Sequence, residues 1–250
     1  MFVLESGPAG GQAVLLLHAL GMDHSMWASQ QDALGDELHL LMPDLPGFGR
    51  SRLDKSGLDR CVEACAERLA RGDAPATVVG LSYGGWVAAL LAARHPGLVS
   101  GLVISGVRPD VPRYLAELQA IAFRIGPARA LRRGDLVATD DLKTERANLI
   151  AASRELASTE LISALERIAA PTVVFAPSRD RFVRRHAPFV AAAIHNARLA
   201  AVPDATHLWP VKRPAPLTEC IRALASPEQS DDAPRASVLT PELDPAPGVN

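Results

Sequence analysis

Ala76-Thr77-Val78-Val79-Gly80-Leu81-Ser82-Tyr83-Gly84-Gly85-Trp86-Val87-Ala88-Ala89-Leu90-Leu91 is the stretch that decides the fold. Its opening run is small, apolar and β-branched, as in a strand buried on both faces. Its closing run, Gly85 to Ala93, is rich in small residues and reads as a helix. Between them lies Gly80-x-Ser82-x-Gly84. Strand, tight turn and helix are the context in which this pentapeptide holds a serine nucleophile on an elbow. The turn strains the serine backbone and lifts its hydroxyl clear of the sheet edge. A Cβ at position 80 or 84 would collide with the turn, so glycine is required there. The helix start behind Ser82 offers free N–H groups and a positive dipole end to a developing oxyanion. In a surface loop the same pentapeptide would carry no chemistry; the flanking elements separate the two readings.

Outward from the elbow, strand and helix patterns alternate. Met1 to Glu5 reads as a short edge strand. Ala13–Leu17, Leu38–Met42, Gly101–Ser105, Thr172–Ala176 and Arg198–Val202 are apolar runs of strand length. Met26–Leu34, Asp59–Leu69, His186–Ala193 and Leu217–Leu224 read as helices. From Arg108 to Ala169 no strand pattern appears, and amphipathic helices are expected at about Arg113–Ile125, Pro127–Arg133, Asp140–Glu155 and Thr159–Ile168. Such alternation predicts an α/β fold with a mostly parallel, doubly wound sheet. Ligands of such sheets sit at the carboxyl ends of the strands, where an insertion would lie as a lid. The expected organisation is a core of residues 1–107 and 170–225, a helical lid at 108–169 and a disordered, acidic, Pro-rich tail at 226–250.

The 250 residues, 48% of them hydrophobic, suffice for one large domain. Aromatics make up only 4%, so the core must be aliphatic. A formal charge of −2 without basic blocks argues against nucleic acid as a partner. No apolar run reaches the ~18 residues of a membrane span. No basic run precedes Phe2-Val3-Leu4, which argues against a secretory leader. Cys61, Cys65 and Cys220 are an odd set with no ligand-like neighbours, as expected of reduced core cysteines in a cytoplasmic protein. Gly47-Phe48-Gly49 lacks the further glycine of a dinucleotide loop, and no metal-ligand spacing occurs. No cofactor and no metal are expected.

A serine hydroxyl needs a base, an orienter for that base and donors for the oxyanion. Of the seven histidines, His207 follows the last expected strand, at the sheet edge that carries Ser82. His18 also follows a strand but precedes the nucleophile. The acid should follow a strand between Ser82 and His207. Asp180 does so, after Thr172-Val173-Val174-Phe175-Ala176-Pro177. Arg179 and Arg181 flank it, so a solvated surface carboxylate is the alternative. Asp110 is the rival acid, and Asp204 reads as a turn aspartate.

The elbow and the order Ser82, Asp180, His207 resemble the α/β-hydrolase superfamily, in particular its small esterase-like serine hydrolases. His18-Ala19-Leu20-Gly21-Met22-Asp23-His24-Ser25-Met26-Trp27 is similar to the family's His-Gly oxyanion loop, with Ala19 in the usual glycine position. Asp44-Leu45-Pro46-Gly47-Phe48-Gly49-Arg50-Ser51 is similar to its Asp-x-x-Gly-x-Gly-x-Ser loop. Ala176-Pro177 stands where a glycine usually precedes the acid loop. The similarity runs from about Val14 to about Leu224, the lid excepted. It implies an oxyanion hole made of the Leu20 and Tyr83 backbone N–H groups, with both side chains facing the acyl pocket. It implies that His18 is a structural hydrogen-bonder, and that the sheet lacks the family's first antiparallel strand. Serine at position 82, where dehalogenases and epoxide hydrolases of this fold carry aspartate, implies acyl transfer to water. The expected activity is that of a carboxylesterase-like serine hydrolase on a small or medium acyl substrate, an ester first, then a thioester or lactone. A ligand-binding regulator, or a non-hydrolytic or carbon–carbon-cleaving enzyme reusing the triad, is the alternative. Tyr114, Leu118, Phe123 and Trp209 are candidates for the substrate pocket, against the reading in which they pack on the body.

Overall fold

The computed structural model describes residues 1–125, 142–181 and 183–225. Its centre is a seven-stranded sheet. The strands are β1 (Val3–Ser6), β2 (Ala13–Leu17), β3 (His39–Pro43), β4 (Ala76–Leu81), β5 (Val99–Ser105), β6 (Thr172–Pro177) and β7 (Ala197–Val202). They lie in the order β1-β3-β2-β4-β5-β6-β7. All pairs are parallel except β1 with β3. The expectation of a missing antiparallel strand is therefore corrected. Val3–Ser6 supplies one, with Val3 opposite Pro43 and Ser6 opposite Leu40. Its side chains are mostly half-buried, as on an edge, which is why its apolar signal is weak.

The two-residue period of the strands deals their side chains into two cores. Leu15, Leu17, Leu41, Val78, Leu102, Ile104 and Val174 point to one face. Val14, Leu16, Leu40, Met42, Val79, Leu81, Val103 and Phe175 point to the other. The first face is covered by α2 (Leu58–Leu69) and α3 (Tyr83–Arg94). The second is covered by α1 (Ala28–Leu34). Both faces being dry, the strands read as continuous apolar runs rather than alternating ones. Each fully buried leucine contributes roughly 1.5–3 kcal/mol, so these layers dominate the stability.

Between β5 and β6 come α4 (Arg113–Ile125), α5 (Leu142–Leu156) and α6 (Ile162–Leu165), with no strand among the described residues. The first two pack on each other. The helix expected at 127–133, the beginning of the one expected from Asp140, and the tail at 226–250 fall outside the described residues. After β6 come α7 (Ala187–Ala193), then β7, α8 (Trp209–Lys212) and α9 (Ala215–Ala225). The last of these adds Leu217 and Ile221 to the second face. The short α8 has no counterpart in the sequence reading; Pro210 sits in its first turn, where a missing N–H costs nothing.

The chain leaves β2 toward β3 on one side and leaves β4 toward β5 on the other. The strand order thus reverses between β2 and β4, and a crevice opens at their carboxyl ends.

Candidate active site

One residue, Ser82, joins β4 to α3. It holds φ 56° and ψ −114°, a conformation that costs a non-glycine residue about 1–3 kcal/mol. Its surroundings over-determine that geometry. The Ser82 N–H donates to the Ser105 carbonyl at 2.8 Å, and the Ser82 carbonyl accepts from the Trp86 N–H at 3.1 Å. A Cβ on Gly80 would lie 2.3 Å from the Gly84 carbonyl oxygen, and one on Gly84 would lie 2.2 Å from that of Leu17. Both glycines are therefore required by close backbone approach, as the pentapeptide suggests.

The Leu17 contact also fixes the neighbouring loop. The end of β2 is pressed against the start of α3, so the His18–Leu20 segment borders the elbow. His18 is fully buried. Its Nε2 accepts the Leu45 N–H at 2.9 Å and its Nδ1 donates to the Ala19 carbonyl at 2.9 Å. Burial lowers its pKa and keeps it neutral. His18 is thus a hydrogen-bonding strut that ties the Leu20 loop to the Asp44 loop. Asp44 is buried as well; it holds its own loop by accepting the Arg50 N–H and ties it to the loop after β2 by accepting the His24 N–H. A Cβ on Gly49 would lie 2.5 Å from its carboxylate, which explains that glycine.

Tyr83 is the first residue of α3, so its N–H lies in the helix turn that has no intrahelical acceptor. Its side chain does not face the crevice. The ring is wholly buried, edge-on to Phe48, with its hydroxyl 3.8 Å from Cys61 Sγ. Burial raises its pKa far above the ordinary tyrosine value.

His207 follows β7, and its Nδ1 lies 2.5 Å from Asp180 Oδ2. The carboxylate is 2% exposed and the imidazole 38%. Asp180 reaches it because the loop after β6 is stitched to the loop after β7. Ser178 N–H donates to the Val202 carbonyl and Arg179 N–H to that of Ala205. Pro177, at the end of β6, accepts the Asp180 N–H at 3.1 Å and closes the turn without a glycine. With a carboxylate on Nδ1, the proton belongs on that nitrogen and Nε2 is left to accept. The rival acids lie elsewhere: Asp110 is exposed beside Arg108 and His186, and Asp204 is exposed and paired with Arg179 at 2.7 Å.

Ser82 and His207 each approach Gly106, just past β5. A Cβ there would lie 3.0 Å from His207 Cε1 and 3.3 Å from the Ser82 nitrogen. The sequence reading missed Gly106; a glycine directly after a buried strand was its one signal.

The four pocket candidates do not come together. Tyr114 and Leu118 are 65% and 60% exposed, on one stripe of α4 with Ile121 and Ile125. Phe123 lies on the opposite side of that helix, partly buried against the main core. Trp209 is 1% exposed, packed on Phe175 with its indole N–H given to Ser105 Oγ, and has no face left for a ligand. Its expected place in the pocket is corrected: an aromatic two residues beyond His207 points back under the sheet edge.

Among the described residues, Asp23, His24 and Asp44 bring ligand atoms within 4.8 Å of one another. Both Asp44 oxygens are already taken by backbone N–H groups, and the trio braces the loop. No helix of the described residues is long and apolar enough to cross a membrane.

The chain is 29% identical to the pimeloyl-[acyl-carrier protein] methyl ester esterase of Edwardsiella ictaluri, over 83% of this chain and 91% of that protein. It is 33% identical to an AB hydrolase superfamily protein of Gibberella zeae, over 62% of this chain and 60% of that one. The solved enol-lactonase of Burkholderia xenovorans superposes with a TM-score of 0.78 over 89% of this chain and 95% of that one, at 22% identity. That likeness speaks for the fold alone. The family model described as alpha/beta hydrolase matches residues 14–219, a span that holds the elbow, the His18 and Asp44 loops, Asp180 and His207. With the switch-point sheet and the serine elbow, this match makes the chain a member of the alpha/beta hydrolase family.

Proposed function

We propose that this protein is a serine hydrolase cleaving a small or medium acyl substrate, a carboxylic ester first, through a Ser82–His207–Asp180 triad. The observation that carries the reading is the 2.5 Å contact between buried Asp180 and His207, beside a serine held at positive φ. His207 Nε2 takes the proton of Ser82 Oγ as that oxygen attacks the carbonyl carbon. Asp180 keeps the imidazole oriented and balances its charge. The N–H groups of Tyr83 and Leu20 receive the oxyanion. The proton passes to the leaving oxygen, and an ester of Ser82 remains. Water, deprotonated by His207, then releases the acid and restores the serine.

A relative named as a methyl ester esterase supports an ester carbonyl as the target. Residues 108–169 would serve as the lid, with the Tyr114–Leu118 stripe of α4 on the acyl side. Its three cysteines are free, which supports a cytoplasmic setting.

The test is covalent labelling with a fluorophosphonate, followed by hydrolysis of chromogenic esters. The unsubstituted protein should be labelled at Ser82. Ser82→Ala should lose both labelling and turnover, by at least about 10³-fold, with an unchanged thermal transition. Full labelling of the variant at another serine would overturn the assignment.

A further inference from the structure

Ser105 is the last residue of β5; its Oγ donates to the Phe175 carbonyl at 3.5 Å, and it accepts two further, unlike bonds. Its carbonyl accepts the Ser82 N–H at 2.8 Å. Its Oγ accepts the Trp209 indole N–H at 3.0 Å. In the sheet it stands opposite Leu81, one residue before the nucleophile, and opposite Phe175 on the strand that leads to Asp180. Gly106, next in the chain, is approached by both the Ser82 nitrogen and the His207 ring. Trp209, for its part, lies two residues beyond His207 and is tied back to the same loop by its N–H to the Thr206 carbonyl at 3.2 Å.

Packing alone does not account for the Ser105–Trp209 bond. Trp209 already rests on the Phe175 ring, 4.9 Å between centroids. The equally buried Trp27 shows that a tryptophan can pack in this core while its indole nitrogen finds no protein acceptor. The indole of Trp209 instead points its N–H at Ser105, a residue bonded to the nucleophile through its carbonyl and to the acid strand through its Oγ. A directional bond between two buried groups locks an angle where ring packing leaves freedom to slide.

We propose that Ser105 and Trp209 are a positioning pair, whose N–H···O bond sets the distance between the His207 loop and the Ser82 elbow and so the productive approach of imidazole to hydroxyl. This rests on the triad reading above. Neither residue touches substrate; each acts through His207. An error of about 1 Å in such an approach costs on the order of 10²-fold in rate, so a single buried bond can matter.

Four variants test it: Trp209→Phe, which keeps a ring and loses the donor; Ser105→Ala, which loses the acceptor; the double variant; and Ser105→Thr, which retains a hydroxyl. Trp209→Phe and Ser105→Ala should each lower kcat on a chromogenic ester about tenfold, with KM within about twofold. The double variant should be no slower than either single one, because both remove the same bond. Ser105→Thr should return kcat to within about threefold of the unsubstituted protein. An unchanged kcat in Trp209→Phe, or multiplied losses in the double variant, overturns the proposal, whatever happens to the melting temperature. If the unsubstituted protein is not labelled at Ser82 by a fluorophosphonate, the triad reading falls and this inference falls with it. If Ser82 is labelled and kcat does not respond, this inference alone is wrong.

Discussion

At the residue scale, the candidate acid is the sharpest claim. Asp180 is buried against His207, while Asp110 and Asp204 are exposed and paired with cations. Replacing an orienting carboxylate by its amide preserves shape but puts a donor where the imidazole needs an acceptor. Asp180→Asn should therefore lose at least about 10²-fold in kcat with little change in KM. Asp110→Asn and Asp204→Asn should each lose less than about tenfold on the same ester. An inactive Asp110→Asn beside an active Asp180→Asn would move the acid to the end of β5. Gly106 offers a second test. Its φ of +72° disfavours a side chain, and a methyl there would crowd His207 Cε1. Gly106→Ala should lower kcat by at least about tenfold while the labelled residue stays Ser82. The positions of Ser82, Asp180 and His207 were legible in the sequence because each lies in the connection that follows an apolar strand. The contacts of Gly106, Ser105 and Trp209 were not, because they join segments far apart in the chain. Leu20 and Tyr83 came from resemblance; the burial of the Tyr83 ring was hidden, since nothing local says which way a residue at a helix start turns its side chain.

At the element scale, α4 was read at its observed bounds, Arg113–Ile125, as closely as any strand, and only the short α6 (Ile162–Leu165) falls well inside its expected span of Thr159–Ile168. A strand buried on both faces is a solid apolar run and α4 is amphipathic, so both are legible, whereas α5 is held by polar contacts as well as by buried Leu149 and Ala152. The docking of α5 is the instructive case. The start of α2 has Gly57 before it and no side-chain cap of its own. Its cap comes from α5: both carboxylate oxygens of Glu155 lie 2.8 Å from the Leu58 nitrogen. Asn148, two turns earlier, donates to the Gly47 carbonyl at 2.8 Å. Such a cap is invisible to sequence rules, which look for it next to the helix it serves. Glu155→Ala should cost about 1 kcal/mol in denaturant unfolding, as loss of a local cap does. A pH series adds a signed test. Burial holds the Glu155 carboxyl above the ordinary glutamate value, outweighing the Leu58 N–H. A group whose pKa is raised by folding favours the folded state most while protonated, and that contribution is lost as pH rises. The melting temperature of the natural protein relative to Glu155→Gln should therefore fall from about pH 4 upward. A difference that grows with pH would mean that the cap bond outweighs desolvation.

At the scale of the whole molecule, topology does the assembling. Reversal of strand order between β2 and β4 puts the Leu20 loop, Ser82, Gly106, Asp180 and His207, from five separate connections, along one edge. The chain leaves that edge after β5 and enters α4, whose contacts are made chiefly with α5. Tyr114, Leu118, Ile121 and Ile125 recur at helical spacing on the outer side of α4 and are all half-exposed or more. A helix that begins beyond the candidate catalytic edge and carries an unburied apolar stripe is suited to hold the acyl part of a substrate once one is bound. If it does so, its effect must grow with acyl length, since each methylene transferred from water is worth about 0.8 kcal/mol. Leu118→Glu replaces apolar contact by charge at a position where the free protein buries little. Its melting temperature should be unchanged. Its kcat/KM on an acetyl ester should stay within about twofold of the natural protein, while on an octanoyl ester it should fall about tenfold or more. An equal loss on both esters would mean that the substitution disturbs the catalytic edge itself, and no loss on either would take the acyl group away from α4.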